Sequence, residues 1–543
     1  MLEKTAVDRA LLHLTSLGDT DIFPSPFEFV FYSEKSEEIS KRVCELDPSK
    51  YAPKSCIEIL CPKRELAYRI AQQLYPADTL LYTSAVIQIA PSIEAMRLPI
   101  EKGPFSYRFI ENPEEPRLFS EASGFHDWLL HVRDVCTNSN PFADVRYVIE
   151  TDISDFYSHI YFHRLEHVLD DCGAPNIVRK IIEGIIKHSR ARQSYGLPVG
   201  TSASRLLAEG LLNDTDQMLA ERSSGYTRYV DDFRIVVDHQ SAVHSTLCKL
   251  AEHLMLTEGL ALNASKTRTY STDEAVEQVE RKLSDVFNDA ELASLNKYIR
   301  QVYDDEEVSV EEIEDVEPEA LGQKLVEVLS RDSTDYAAVR VILKALRAVE
   351  YPDPLGLIES TFQLLYYVPR DYCILVGAFA QRSSDLAPEI AEKMVSLLET
   401  QPFSEMTLSR VWVTHLFVSQ ALPITRALLN RLKLSESTLE KRQRLLLLGV
   451  LNDRNYFRES KTRFDEASDW EKPALLFGAS CLSKGEYATW LNTVKGHITD
   501  PFGDIYRSWL ETNQGELFSK LKVQFAVKSK AERIAELFDD LPF

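Results

Sequence analysis

The sequence predicts an α+β first half followed by an all-α, HEAT-like helical-repeat half, on three observations. Residues 1–274 alternate short β-rich runs with amphipathic segments, residues 304–319 hold ten acids and no base, and from residue 320 apolar residues recur at helical spacing with almost no strand signal. The expected units are therefore 1–274, a helical connection with an acidic linker at 275–319, and 320–543. At 543 residues the chain has material for two or three full-sized cores.

In the first half, Phe27–Tyr32 and Tyr147–Thr151 read as strands, and 121–136 and 162–170 as amphipathic helices. Residues 275–302, poor in Pro and Gly and rich in Glu, Lys and Leu, read as helix. The acidic run ends near Pro318 and reads as a solvated linker or an exposed helical face. Beyond it, patterns such as Ala337-Val339-Ile342-Leu343-Leu346 alternate with breaks at Tyr351-Pro352-Asp353-Pro354, Gln401-Pro402-Phe403 and Asp500-Pro501. Helices joined by short turns over more than 200 residues predict stacked helical pairs. With no clean repeat consensus, an ordinary helical bundle is the alternative.

Composition narrows the class. Hydrophobic content is 44%, and no apolar run is long enough to span a bilayer. Met1-Leu2-Glu3-Lys4 lacks the layout of a signal peptide, so a cytoplasmic location without membrane contact is expected. Eight scattered cysteines without zinc-type pairs predict reduced thiols. A net charge of −23 disfavours a protein that grips long duplex over its whole surface. Two basic clusters stand against that trend: Arg179, Lys180, Lys187, Arg190 and Arg192, and the tail Lys520, Lys522, Lys528, Lys530 and Arg533. The first is compatible with a narrow basic channel; the second offers phosphate contacts or is a solvated amphipathic helix.

The chemistry-bearing residues centre on Tyr229-Val230-Asp231-Asp232, between two strand-like runs. Adjacent acids repel unless a cation neutralises them, and carboxylate oxygens suit Mg²⁺ in phosphate chemistry. Taken alone, the same residues make an ordinary solvated turn. Upstream, Tyr147 to Asp152 reads as an apolar strand delivering Asp152 near its end, followed by a turn into helix. Between the two lies Tyr195-Gly196-Leu197-Pro198-Val199-Gly200, opening into a Ser- and Ala-rich helix through Ser204 and Glu209. Such a loop lets a substrate approach the backbone closely, or merely punctuates a helix start.

In this order, strand Asp, Gly-Leu-Pro-x-Gly loop and Tyr-x-Asp-Asp hairpin, the residues closely resemble motifs A, B and C of reverse transcriptases. Leu260-Ala261-Leu262-Asn263-Ala264-Ser265-Lys266-Thr267 resembles motif D. Tyr68-Arg69-Ile70, Pro76-Ala77-Asp78, Ile93-Glu94 and Ser106-Tyr107-Arg108-Phe109 resemble the fingers motifs of bacterial members. The resemblance covers residues 60–270 and implies reverse transcriptase-like fingers and palm within 1–274.

It also implies roles. Two Mg²⁺ ions, with Mn²⁺ as a substitute, would be held about 3.5–4 Å apart. Asp152 and Asp231 would bridge them, the Ile153 carbonyl would join on the triphosphate side, and Asp232 would tune the charge. Tyr157, five residues after Asp152, takes the sugar-gate place that favours dNTPs; an aromatic packed in the palm is the alternative. Asp155, Phe156, Gly196, Pro198 and Ser204 would shape the nucleotide pocket. Lys266 would assist the pyrophosphate, and Arg69 and Arg108 would grip the triphosphate.

A reverse transcriptase core fused to a long helical extension resembles the bacterial antiphage group, the abortive-infection (AbiK-type) and defence-associated reverse transcriptases. That resemblance implies homo-oligomers, DNA product made without a template and primed on a protein hydroxyl, or copying of a partner non-coding RNA. The rival from another class is a catalytically silent scaffold whose helical repeats bind a phage or host protein. Three clustered acids weigh against it.

Overall fold

The computed structural model describes residues 1–64, 67–138, 146–189, 195–285, 318–331, 334, 336–434 and 437–525. Most of the acidic run, Arg190 and Arg192, and the tail residues Lys528, Lys530 and Arg533 lie outside them.

The chain begins with three helices, α1 (Lys4–Leu17), α2 (Glu28–Glu34) and α3 (Ser36–Glu45), then an antiparallel hairpin of β1 (Ile57–Arg64) and β2 (Ala67–Gln73). A 21-residue helix, α4 (Pro76–Met96), follows, with Pro in its first turn, where a missing N–H costs nothing. It has no single apolar face, and 15 of its residues are buried. That pattern fits a central helix, and α4 packs against α1, α8 (Asn176–Ser189) and α9 (Ser202–Leu211). Between them run α5 (Phe125–Asn138), α6 (Phe156–His159) and α7 (Phe162–Asp171); α10 (Asn213–Arg222), α11 (Gln240–His253) and α12 (Thr272–Asp285) complete this part.

The larger sheet is antiparallel, in the order β4-β5-β3-β6, from β3 (Tyr147–Asp152), β4 (Gly225–Tyr229), β5 (Asp232–Val237) and β6 (Arg268–Ser271). Strand β3 is central, and its Val148 and Ile149 are fully buried. Helices α5 and α12 pack against one another beside the sheet, through Trp128, Leu129, Val132 and Val279.

Phe27–Tyr32 is not a strand. It falls in α2, with Phe27 at the N-cap, because an apolar run this short carries no period to separate strand from helix. Its neighbours decide: Phe31 packs on Tyr506 and Trp509, and Phe27 on Phe477.

From Pro318 onward every regular element among the described residues is helical, as expected. These helices pack onto the N-terminal ones. Trp412 Nε1 donates to the Ile22 carbonyl at 2.8 Å, Trp470 Nε1 to the Ser55 carbonyl at 2.7 Å, and Tyr75 Oη to Asp500 at 2.8 Å. Arg42 forms a fork to Asp504, and buried Arg442 pairs with Glu28. All eight cysteines are free thiols. No helix among the described residues is long and apolar enough to cross a membrane.

Candidate active site

The hairpin between β4 and β5 turns in two residues, Val230 and Asp231, and pairs Tyr229 with Asp232. Val230 has φ 57, a left-handed conformation that a β-branched side chain avoids. Two-residue hairpin turns demand positive φ at this position and usually place Gly there. Both backbone groups of Val230 are held from outside: its N–H donates to Ser106 Oγ at 2.8 Å, and its carbonyl accepts from Arg228 Nη1 at 2.7 Å. Strain retained against such cost is typical of a functional turn.

Asp152 ends β3 directly opposite Asp232 on β5. The Asp231 carbonyl accepts from Ile153 N at 3.2 Å, which joins the turn to the residue after Asp152. Asp152, Asp231 and Asp232 are thereby brought to one end of the sheet. Burial, and then the neighbouring Asp232 and Asp152, push the Asp231 carboxyl up to about 7. Asp232 is also raised, first by burial.

The segment resembling motif D is tied to this end of the sheet. Ser154 N donates to the Ala261 carbonyl and Asn263 N to the Asp152 carbonyl, both at 2.8 Å. Lys266 Nζ pairs with Asp152 Oδ2, whereas Asp152 Oδ1 is buried with no partner. Among the described residues no three His, Cys, Asp or Glu side chains converge as a ready-made metal cage. The donors nonetheless suit a hard cation: they are carboxylate oxygens, one is orphaned, and the Asp231 carboxyl is raised by burial and then by acidic neighbours whose charge a cation would offset.

Tyr157 is half-buried on α6 and its carbonyl accepts from Leu197 N at 2.8 Å. Burial raises its hydroxyl well above the usual tyrosine range, with Tyr107, Arg205, Glu209 and Asp231 close enough to contribute. It therefore lies between the Gly196 loop and the hairpin. Gly196 and Gly200 take positive φ; a Cβ on Gly200 would sit 2.7 Å from Thr20 Oγ1. Pro198 and Phe156 are buried beside them. Asp155 is exposed at the left-handed start of α6, 3.6 Å from Lys63.

Three further candidate residues have their own surroundings. Ser204 is fully buried, bonded to Thr201 and Tyr82, because it sits in the first turn of α9 facing α4. Arg108 donates to the Leu98 and Pro104 carbonyls and pairs with Glu94, so its charge is satisfied within the fold. Arg69 is exposed on β2, near Cys61 and Asp21.

The sequence reading missed the network behind the turn. Arg228 bonds Asp216 through Nε and Nη2 at 2.8 and 2.6 Å, and reaches Glu209 at 3.0 Å. Glu209 also accepts from Arg97 at 2.7 Å and Ser106 at 2.6 Å. All four charged groups are essentially without solvent exposure. Burial acts to raise the Glu209 carboxyl, but Arg228 and Arg97 hold it below the usual range. An acid inside the apolar run Leu206-Leu207-Ala208-Glu209-Gly210-Leu211-Leu212 was the available signal, since a buried charge demands a partner.

Residues 92–310 match the family model "Reverse transcriptase (RNA-dependent DNA polymerase)". No curated protein matches the sequence. Solved structures that resemble it include apo telomerase from Candida tropicalis, at 12% identity over 72% of this chain and 76% of that one, TM-score 0.33. A form of that enzyme truncated from the C-terminal domain gives 17% identity over 44% of this chain and 55% of that one, TM-score 0.29. Telomerase from Candida albicans, in complex with a TWJ fragment of telomeric RNA, gives 12% identity over 71% and 69%, TM-score 0.30.

Proposed function

Because this chain carries a reverse transcriptase domain, we propose that it is an active polymerase adding dNTPs to a 3′-hydroxyl, and that it serves antiphage defence. The observation that carries the enzymatic reading is the placement of Asp152, Asp231 and Asp232 at one end of the sheet, beside a strained turn held by a buried polar network. Such an arrangement is costly for a scaffold and useful for a metal-dependent enzyme.

The three aspartates, with Asp152 Oδ1 unpartnered, would hold two Mg²⁺ ions. Bound there, the ions supply activation of the attacking hydroxyl and neutralisation of the pyrophosphate. Lys266, already beside Asp152, stands where its ammonium can offset charge or give a proton as pyrophosphate leaves. The Tyr157 ring, between hairpin and loop, narrows the sugar side against a 2′-hydroxyl. The Gly196–Gly200 loop lets the nucleotide lie close to backbone.

The defence assignment rests on the union of a reverse transcriptase core with a long helical half, read as HEAT-like repeats, as in abortive-infection enzymes. The acidic balance of −23 fits extrusion of a single strand better than clamping of long duplex; untemplated synthesis primed on a protein hydroxyl is part of the same reading. A homo-oligomer and a cytoplasmic location belong to the same reading. One observation favours an alternative, copying of a dedicated non-coding RNA. Leu60, Tyr68 and Ile70 lie on one face of the β1–β2 hairpin, 62%, 58% and 46% exposed, a surface on which template bases could stack.

The test is incorporation of labelled dNTPs with Mg²⁺ by the purified full chain, with and without RNase pretreatment, then protease. Product that survives RNase and loses attached protein on proteolysis supports untemplated, protein-primed synthesis. Loss of all synthesis after RNase selects the templated reading. No incorporation, together with full defence by an Asp231→Ala variant, overturns both.

A further inference from the structure

Four arginines from distant parts of the chain gather around Asp21. Arg205, on α9, lies 3.7 Å from its carboxylate. Arg69, on β2, faces Cys61 of β1 across the hairpin, and the helices Leu364–Tyr367 and Thr407–Val418 of the helical half pack against β1. Arg370 stands in the first turn of the helix Pro369–Arg382 and lines the same cavity as Thr20, the residue before Asp21. Arg340, on the helix Tyr336–Ala348, is joined to Arg370 through Asp371, at 3.4 and 3.9 Å. Burial acts to raise the Asp21 carboxyl, but Arg205, Arg370, Arg340 and Arg69 hold it below the usual range.

The cluster is open to solvent. The side chains of Asp21, Arg340, Arg205 and Arg370 are 52%, 36%, 29% and 26% exposed, and Arg69 is exposed as well. Guanidinium groups brought together repel, and an anion placed among them relieves that repulsion. Their planar forks match phosphate oxygens. Asp21 is the anion that the chain itself offers, and its open side leaves room for a phosphate from solvent.

The cluster also adjoins the candidate active site. Arg205 lies over the Tyr107 ring at 5.1 Å, and Tyr107 packs on Tyr229 of the hairpin with ring centres 6.2 Å apart. Tyr107 has φ 51, a left-handed backbone, and its hydroxyl is within electrostatic reach of both Asp21 and Asp231. We infer that Arg340 and Arg370 of the helical half join Arg205 and Arg69 in holding the triphosphate of the incoming nucleotide, which displaces Asp21 from them. Convergence on one point suits several linked phosphates, whereas a nucleic-acid strand spreads its charges along a groove. The nucleotide rests on the polymerase reading; the anion site itself needs no turnover.

Isothermal titration calorimetry of the full chain with inorganic tripolyphosphate, in EDTA, reads the anion site without metal or catalysis. One site per chain is expected, weakened about tenfold in Arg340→Gln and in Arg370→Gln by loss of a charge-assisted hydrogen bond. Asp21→Asn should bind more tightly than the parent, because the competing charge is gone. A merely structural Asp21 would give a lower melting temperature and no tightening, so this variant carries the test if the arginine variants fail to fold. No binding at millimolar tripolyphosphate, binding unaltered in both arginine variants, or weaker binding in Asp21→Asn overturns the proposal. Equal displacement by oligo-dT at the same phosphate concentration assigns the cluster to a strand and overturns it too. Binding as expected without any dNTP incorporation supports the anion site and counts against the polymerase reading alone.

Discussion

Arg228 Nη1 holds the carbonyl of Val230 at 2.7 Å, so a side chain on β4 grips the turn that its own strand enters. The same guanidinium is fixed by Asp216 and Glu209, all three without solvent exposure. Replacing Arg228 by Met leaves buried Asp216 without its cation and Glu209 with Arg97 alone, and the expected cost in urea unfolding is about 3–5 kcal/mol. Ser106→Ala is milder, about 1–3 kcal/mol, because it frees the Val230 N–H and one Glu209 oxygen. In Ser106→Ala, dNTP incorporation should fall more steeply than the folded fraction does. Equal falls would make the network a matter of stability alone.

Asp231→Asn separates stability from chemistry in the opposite direction. The Asp231 carboxyl is pushed up to about 7 by burial and by its acidic neighbours, so neutralising it relieves the native state. The variant should melt no lower than the parent at pH 8 while incorporation drops to background.

Tyr157→Val removes the ring between the hairpin and the Gly196 loop. Ribonucleotide incorporation should rise relative to deoxynucleotide, measured as the ratio of kcat/KM for the two. An unchanged ratio would make Tyr157 a packing residue.

A pH dependence follows from Asp78. Burial pushes its carboxyl from 3.8 to about 7, against the opposing hydrogen bonds from Tyr51 and Lys54. A carboxyl whose native pKa is raised binds its proton more tightly when folded. Its stabilising contribution is therefore full below pH 3.8 and lost as pH rises through about 7. Asp500, raised to about 6 by burial, acts in the same sense. Thermal melts across this window should fall with rising pH, and Asp78→Asn should flatten the slope.

The local geometry of the candidate site was legible because motif spacing reports on it. Asp152, Asp231, Asp232, Gly196 and Lys266 each belong to a short segment whose conformation its own residues dictate, such as the hairpin around Val230. What stayed hidden depends on residues far apart in the chain. Ser204 and Arg108 carry the right chemical groups, but Tyr82 and Glu94 claim them, and neither pairing leaves a periodic trace. Glu209 and Asp216 meet Arg228, and Arg97 meets Glu209, only after α4, α9, α10 and β4 have packed. The helical character of the second half was plain from its period. The identity of Phe27–Tyr32 as helix was not, because its aromatic partners lie more than 400 residues away.

Those distant partners carry a practical consequence for dissection of the protein. Phe31 and Tyr32 are only 2% exposed because Phe502, Tyr506 and Trp509 cover them, and Trp509 Nε1 is in turn anchored on Glu34 at 2.8 Å. A shortened product ending at residue 285 would retain all three aspartates yet present a bare aromatic face to water, an invitation to aggregate. The part that carries the aspartates is thus expected to be recoverable only with its helical partner attached, and the last helix among the described residues, Leu517–Lys520, is nearer to being a lid on α2 than an appendage.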